Sequence, residues 1–226
     1  CAADPRAKVM LLCNPHNPAG RVWTPDELTR LGNICLRNGV TVVADEIHCE
    51  LVYQGFKYTP FASLSDAFLH RSVTCVSPSK AFNIAGLQIA NIVAFDNDLR
   101  SRIDKAININ EAATIAAYNE GEEWLNQLVD YLHGNYEAMA EFCRRELPEY
   151  PITRLESTYL VWMDCSSLGM PSDALEHALL DDARLWLNAG TMYGAEGEGY
   201  MRWNIACPRS VMLDGLNRFL NFVRSR

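Results

Sequence analysis

Short apolar runs alternate with amphipathic stretches along the first half of the chain. The run at 8–13, Lys-Val-Met-Leu-Leu-Cys, is a continuous apolar segment of strand length, as expected where both faces of a parallel sheet are covered. A helix follows with clear punctuation. Thr24 suits the N-cap, Pro25 the first helical position, and Glu27 can close a capping box. Leu28, Leu31 and Cys35 recur on one face, and Gly39 offers a left-handed stop. Further strands are predicted at 40–44, 73–76 and 89–95, and strand, helix, strand at this spacing predicts an α/β sheet.

The second half reads differently. Leu125, Leu128, Leu132, Tyr136, Met139 and Cys143 recur at spacings of three and four, which predicts one long helix ending before Pro148. Strands are predicted at 158–164 and 200–206, and Leu213, Leu216, Leu220 and Val223 form one stripe of a last helix. Gly194, Gly197 and Gly199 read as a flexible loop whose spacing is not that of a phosphate cradle. The expected organisation is a large-domain portion over 1–133 and a small α+β domain over 134–226.

Composition narrows the function classes. The 226 residues are 49% hydrophobic and carry a formal net charge of −8, which argues against disorder, nucleic acid and anionic membrane. No stretch approaches the roughly 18 apolar residues of a membrane span, and no leader pattern stands at the start. Cysteines stand at 1, 13, 35, 49, 75, 143, 165 and 207 without a C-x-x-C pair, so they read as reduced thiols of a cytoplasmic protein. No metal ligand set is assigned. The chain starts at Cys1 rather than Met, and is expected to be a piece of something longer.

Four clusters carry possible chemistry, three of them just after predicted strands, where open α/β sheets bind ligands. The Asn-Pro segment at 14–20 also suits a plain turn. Asp45-Glu-Ile-His48 places a carboxylate at a buried strand end, where a cation is the strongest partner and a helix cap or structural ion pair the competing reading. Lys80, flanked by hydroxyls in Ser77-Pro-Ser-Lys80, either reaches solvent or, partly desolvated, forms a Schiff base with a carbonyl. Alternation puts Met201, Trp203 and Ile205 on one face and Arg202 with Asn204 on the other, so Arg202 either forks onto a carboxylate or lies on a solvated edge. Together, an amide, a carboxylate, an amine and a guanidinium can serve one aromatic aldehyde with a basic ring nitrogen, plus an amino acid.

The segments Asn14-Pro-His-Asn-Pro-Ala-Gly-Arg-Val-Trp23, Asp45-Glu-Ile-His-Cys-Glu-Leu51, Ser77-Pro-Ser-Lys-Ala-Phe-Asn-Ile-Ala-Gly-Leu-Gln88 and Tyr200-Met-Arg-Trp-Asn-Ile-Ala-Cys-Pro-Arg209 make the resemblance specific. The chain resembles the fold-type I pyridoxal-phosphate enzymes of the class I/II aminotransferase family, and within it the cystathionine β-lyase (C–S lyase) branch. The resemblance implies a partial large domain with a mostly parallel sheet of the aspartate-aminotransferase type plus a small α+β C-terminal domain. It implies pyridoxal 5'-phosphate as cofactor, a small amino-acid substrate and a homodimer. Lys80 matches the lysine that holds the cofactor aldehyde and moves the Cα proton. Asp45 matches the carboxylate on the pyridine nitrogen, Asn17 the amide on the phenolic oxygen, and Ser77 with Ser79 the hydroxyls near the phosphate. Arg202 matches the clamp on the substrate α-carboxylate.

Two departures bear on the activity. His48 stands where aminotransferases have tyrosine, as a different neighbour for the phenolic oxygen, and Gln88 stands where their phosphate-binding arginine lies. The loss of that cation at Gln88 turns the expectation from an aminotransferase toward a lyase releasing thiol, pyruvate and ammonia. The rivals are an aminotransferase and a non-catalytic interaction or dimerisation module. The resemblance also implies a further N-terminal portion in family members, so that this chain forms one wall of the site and exposes apolar sheet surface.

Overall fold

The computed structural model describes residues 3–105 and 117–226. Packing divides the chain into two compact units, one of Cys1–His16 with Val22–Gln127 and one of Asn17–Arg21 with Leu128–Arg226.

The first unit is built on a four-stranded sheet in the order β1 (Val9–Cys13), β2 (Thr41–Asp45), β3 (Ser72–Val76), β4 (Asn91–Val93). The first three strands are parallel, with Cys13, Asp45 and Cys75 in register at their carboxyl ends, and β4 runs antiparallel to β3. Between β1 and β2 lies α1 (Pro25–Arg37), opened by the capping box of Thr24 and Glu27; Gly39 takes the left-handed conformation after it. Leu28 and Cys35 of α1 pack on Leu12, Val42 and Ala44 together with Phe61 and Phe68, whose rings stack at 5.1 Å. The short helices α2 (Asp66–His70) and α3 (Pro78–Ala81) flank β3, and α4 (Asn97–Asp104) follows β4 with Asp96 as its cap.

Two expectations change here. The strand expected at 89–95 shrinks to Asn91–Val93, because β4 meets only the last three residues of β3 and Gln88 just before it is left-handed. The 8–13 run is covered on one face only, and its other face is the exposed apolar sheet surface that the resemblance implies. Met10 and Leu12 turn toward α1, whereas Val9 is 57% and Leu11 78% exposed. By register Val43, Asp45 and Cys75 share that open face.

The helix α5 (Glu122–Glu146) carries the division between the units. In the second unit an antiparallel sheet runs in the order β5 (Leu160–Asp164), β7 (Tyr200–Asn204), β6 (Asn188–Ala189). Two helices, α6 (Ser172–Ala183) and α7 (Arg209–Arg224), complete the unit. Met201, Trp203 and Ile205 are buried as the alternation predicts, and the Trp203 and Tyr150 rings both pack edgewise on Phe219 of α7. The segment Asn17–Arg21 joins this unit through the Gly20 carbonyl, which accepts from Glu156 N at 2.7 Å and Ser157 N at 3.1 Å.

The glycines at 190–199 do not make a loose loop. They form two 3-10 turns, Gly190–Tyr193 and Ala195–Gly197. A Cβ added at Gly190 would stand 2.0 Å from the Gly197 carbonyl oxygen, so the two backbones touch where no larger residue fits.

Among the described residues no helix is long and apolar enough to cross a membrane, and no group of three or more His, Cys, Asp or Glu side chains is arranged to hold a metal ion.

Candidate functional site

The carboxyl ends of β1, β2 and β3 bring polar side chains to one edge of the first unit. Hydrogen bonds from Asn14 N to Asp45 O (2.9 Å) and from Glu46 N to Cys75 O (2.8 Å) extend the ladder one residue past the strands. Period-two alternation then sends neighbouring carboxylates in opposite directions. Asp45 is exposed on the open face, where Oδ1 accepts from Ile47 N at 3.2 Å. Glu46 turns inward and is wholly buried.

Glu46, one residue past the end of β2, is held without a cation among the described residues. Glu46 Oε1 accepts from Phe61 N at 3.0 Å and from Asn14 Nδ2 at 3.3 Å, and Oε2 accepts from the Tyr58 hydroxyl. Neutral donors suffice because three of them converge on one carboxylate. Burial pushes the Glu46 carboxyl up, those three bonds hold it down, and the charge of Asp45 pushes it up again. Asn14 Nδ2 also donates to Thr59 O at 3.0 Å, so Glu46 and Asn14 tie the 58–61 segment to the ends of β1 and β2. Sequence reasoning missed this hub, although alternation along Val42, Ala44 and Glu46 points the third side chain inward.

His48 is buried three residues beyond Asp45. Desolvation lowers its pKa to about 4; the charge of Lys80 pushes the same way and that of Asp45 opposes it. The lowered pKa favours the neutral imidazole at pH 7, and the charges of an amine and a carboxylate both act on it. Lys80 stands on α3, half-buried, and among the described residues it makes no ion pair within 4 Å. The Cys75 thiol is pushed up by burial and by Asp45 and Glu46, which places it beside the same charges.

The flanking serines are less open than their spacing suggests. Ser77 is buried and caps α3, accepting from Ser79 N at 3.1 Å while its hydroxyl donates to Ile89 O. Ser79 is half-buried, and its hydroxyl lies against that of Ser77. Asp45, His48, Ser77, Ser79 and Lys80 thus belong to the first unit, and Asn17 and Arg202 to the second.

Arg202 lies at the centre of the antiparallel sheet, with Trp162 and Asn188 in register on either side. Its Nη2 donates to Asn188 Oδ1 at 2.9 Å, and among the described residues its buried Nε has no hydrogen-bond partner. An unpaired buried donor of this kind costs about 1–3 kcal/mol.

In open α/β sheets the carboxyl ends of the strands are where ligands bind, and Asp45 ends β2, His48 follows it and Lys80 follows β3. The family profile for aminotransferase class I and II matches residues 1–219, and the chain belongs to that family. Cystathionine beta-lyase PatB of Bacillus subtilis is 42% identical over 225 residues, 96% of this chain and 58% of PatB. Protein MalY of Escherichia coli is 34% identical, over 99% of this chain and 59% of MalY. Among solved structures, cystalysin from Treponema denticola, which contains a pyridoxal 5'-phosphate cofactor, superposes with a TM-score of 0.95 at 31% identity. That match covers 99% of this chain and 59% of cystalysin, so the chain spans under two thirds of the length of each of these proteins.

Proposed function

We propose that the whole protein is a pyridoxal-phosphate-dependent C–S β-lyase that takes a cysteine-type amino acid such as cystathionine and releases thiol, pyruvate and ammonia. The similarity to PatB supports the reaction, and the cofactor in cystalysin supports the cofactor. The observation that carries the site is the buried His48 imidazole under the influence of both Lys80 and Asp45. One amine, one carboxylate and a ring that feels the charge of both fit a cofactor with an aldehyde and a basic ring nitrogen. The cofactor, when bound, supplies a cationic ring that withdraws electrons from the substrate Cα.

Lys80 Nζ would hold the cofactor aldehyde and, freed by the substrate amine, take the proton from Cα. Asp45 would keep the ring nitrogen protonated, because a carboxylate beside it favours the charged form. His48, uncharged, and Asn17 would face the phenolic oxygen without adding a positive charge. Ser79, with Ser77 behind it, would lie near the phosphate. Arg202 would take the α-carboxylate on its guanidinium. The Cα–H bond would break with its proton going to Lys80 and the Cα=Cβ bond forming as the C–S pair leaves on sulfur; the sulfur would take a proton to become a thiol, and water would hydrolyse the released 2-aminoacrylate to pyruvate and ammonia. In this reading residues 1–133 contribute to the cofactor domain and 134–226 form the small domain of a cytoplasmic homodimer.

The test offers cystathionine to the full-length protein with pyridoxal phosphate. Thiol and pyruvate in equal amounts, without amino-group transfer to an added 2-oxo acid, are expected. Amino transfer without thiol would assign an aminotransferase instead.

A further inference from the structure

The guanidinium of Arg202 is held on two sides by groups that the proposed chemistry does not use. Asn188 accepts from Nη2, and the guanidinium carbon lies 4.7 Å from the centre of the Tyr193 ring. Both braces are themselves fixed. Trp162 meets Tyr193 edgewise at 5.8 Å and stacks on Tyr200 at 5.4 Å, so the ring beneath Arg202 is backed by two more. Asn188 Nδ2 approaches Met192 Sδ at 3.7 Å, on the turn that carries Tyr193. Close approach of Gly190 and Gly197 sets the path of that turn. With one nitrogen bonded and one face stacked, a planar guanidinium has little rotamer freedom left, so its remaining donors, the buried and unpaired Nε among them, point in fixed directions. Tyr193 itself is 39% exposed and so contributes its ring to this contact more than to the core.

We infer that Tyr193 and Asn188 are positioning residues that set which edge of Arg202 meets a substrate carboxylate. The inference rests on the proposed carboxylate role of Arg202. Loss of the ring lets the side chain sample other rotamers and weakens carboxylate capture about tenfold, as expected for a partly desolvated cation–π contact. The phenol hydroxyl is dispensable.

Two readouts test this. In the full-length lyase, Tyr193→Leu is expected to raise KM about tenfold with kcat within about twofold of wild type, whereas Tyr193→Phe keeps both. In the full-length protein labelled with 15N-arginine, sodium acetate serves as the carboxylate probe and the Arg202 Nε–H resonance, assigned with Arg202→Lys, is followed. Wild type and Tyr193→Phe are expected to shift saturably with one midpoint, and Tyr193→Leu with a midpoint about tenfold higher. Asn188→Ala acts from outside the turn and is expected to move the midpoint the same way. No shift in wild type would remove the carboxylate role of Arg202 and the inference with it. A normal wild-type shift that Tyr193→Leu and Asn188→Ala both reproduce would overturn the positioning role alone.

Discussion

In the first unit the buried polar hub is Glu46, and in the second it is Asn135; both have no exposed surface. Glu46 accepts from Phe61 N, Asn14 Nδ2 and the Tyr58 hydroxyl. Asn135 Nδ2 donates to Ile205 O and Cys207 O, each at 3.0 Å, while its Oδ1 accepts from Arg209 Nε at 3.0 Å. Each hub pins the segment that follows a strand carrying a candidate site residue: Asp45 on β2, Arg202 on β7. They differ in charge. An amide pairs its hydrogen bonds without burying an ion, whereas a carboxylate at the same depth depends on every donor it has. The unit with more titratable side chains at its candidate site therefore rests on the more fragile hub.

The largest effect expected from breaking this contrast is that of Glu46→Ala. Removing the acceptor strands the Phe61 N–H and the Tyr58 hydroxyl, and should cost about 4 kcal/mol in urea unfolding. Glu46→Gln, which keeps an acceptor, should recover more than half of that loss. A Glu46→Ala cost no larger than that of the Asn135 variant would dissolve the distinction.

Next in size is an acid-dependent loss assigned to His48. Its folded pKa, about 4, lies below the ordinary value of 6.5, so the unfolded chain binds the proton more readily. The stability His48 confers is complete above about pH 6.5 and drains away as the pH falls toward 4, amounting to about 3 kcal/mol. Glu46 has the opposite slope, since its raised pKa makes its contribution fade as the pH rises. The difference between wild type and His48→Gln across pH 4–7 isolates the imidazole. Parallel curves would show that His48 does not enter the folded chain uncharged.

Asn135→Ala should cost least, about 2 kcal/mol, because water can reach the half-exposed side of Arg209 while the Ile205 carbonyl goes unpaired. That loss should be flat with pH, in contrast to the first unit.

Much of this was legible in local sequence. The capping box at Thr24, the stripe of α5 and the alternation around Arg202 are short-range patterns that fold as they read. The β4 strand read too long because its limit is set by its partner, β3. The α6 helix was overlooked although Leu175 and Leu179 stand four apart on its buried side. Candidate site residues adjacent to strands were found by position, but the groups that hold them were not. Tyr58 meets Glu46 across a 12-residue loop, and Asn188 meets Arg202 from a two-residue strand, so neither contact leaves a periodic trace.

The central claim is that Lys80, whose charge acts on His48 together with that of Asp45, is the amine that holds an aldehyde cofactor. Treating the full-length protein with pyridoxal phosphate, reducing with borohydride and mapping the peptides tests it directly. The account predicts a stable adduct on Lys80 that is lost in Lys80→Ala, with little on Lys8, Lys57 or Lys105. An adduct spread evenly over those lysines, or one that survives in Lys80→Ala at full yield, would contradict it.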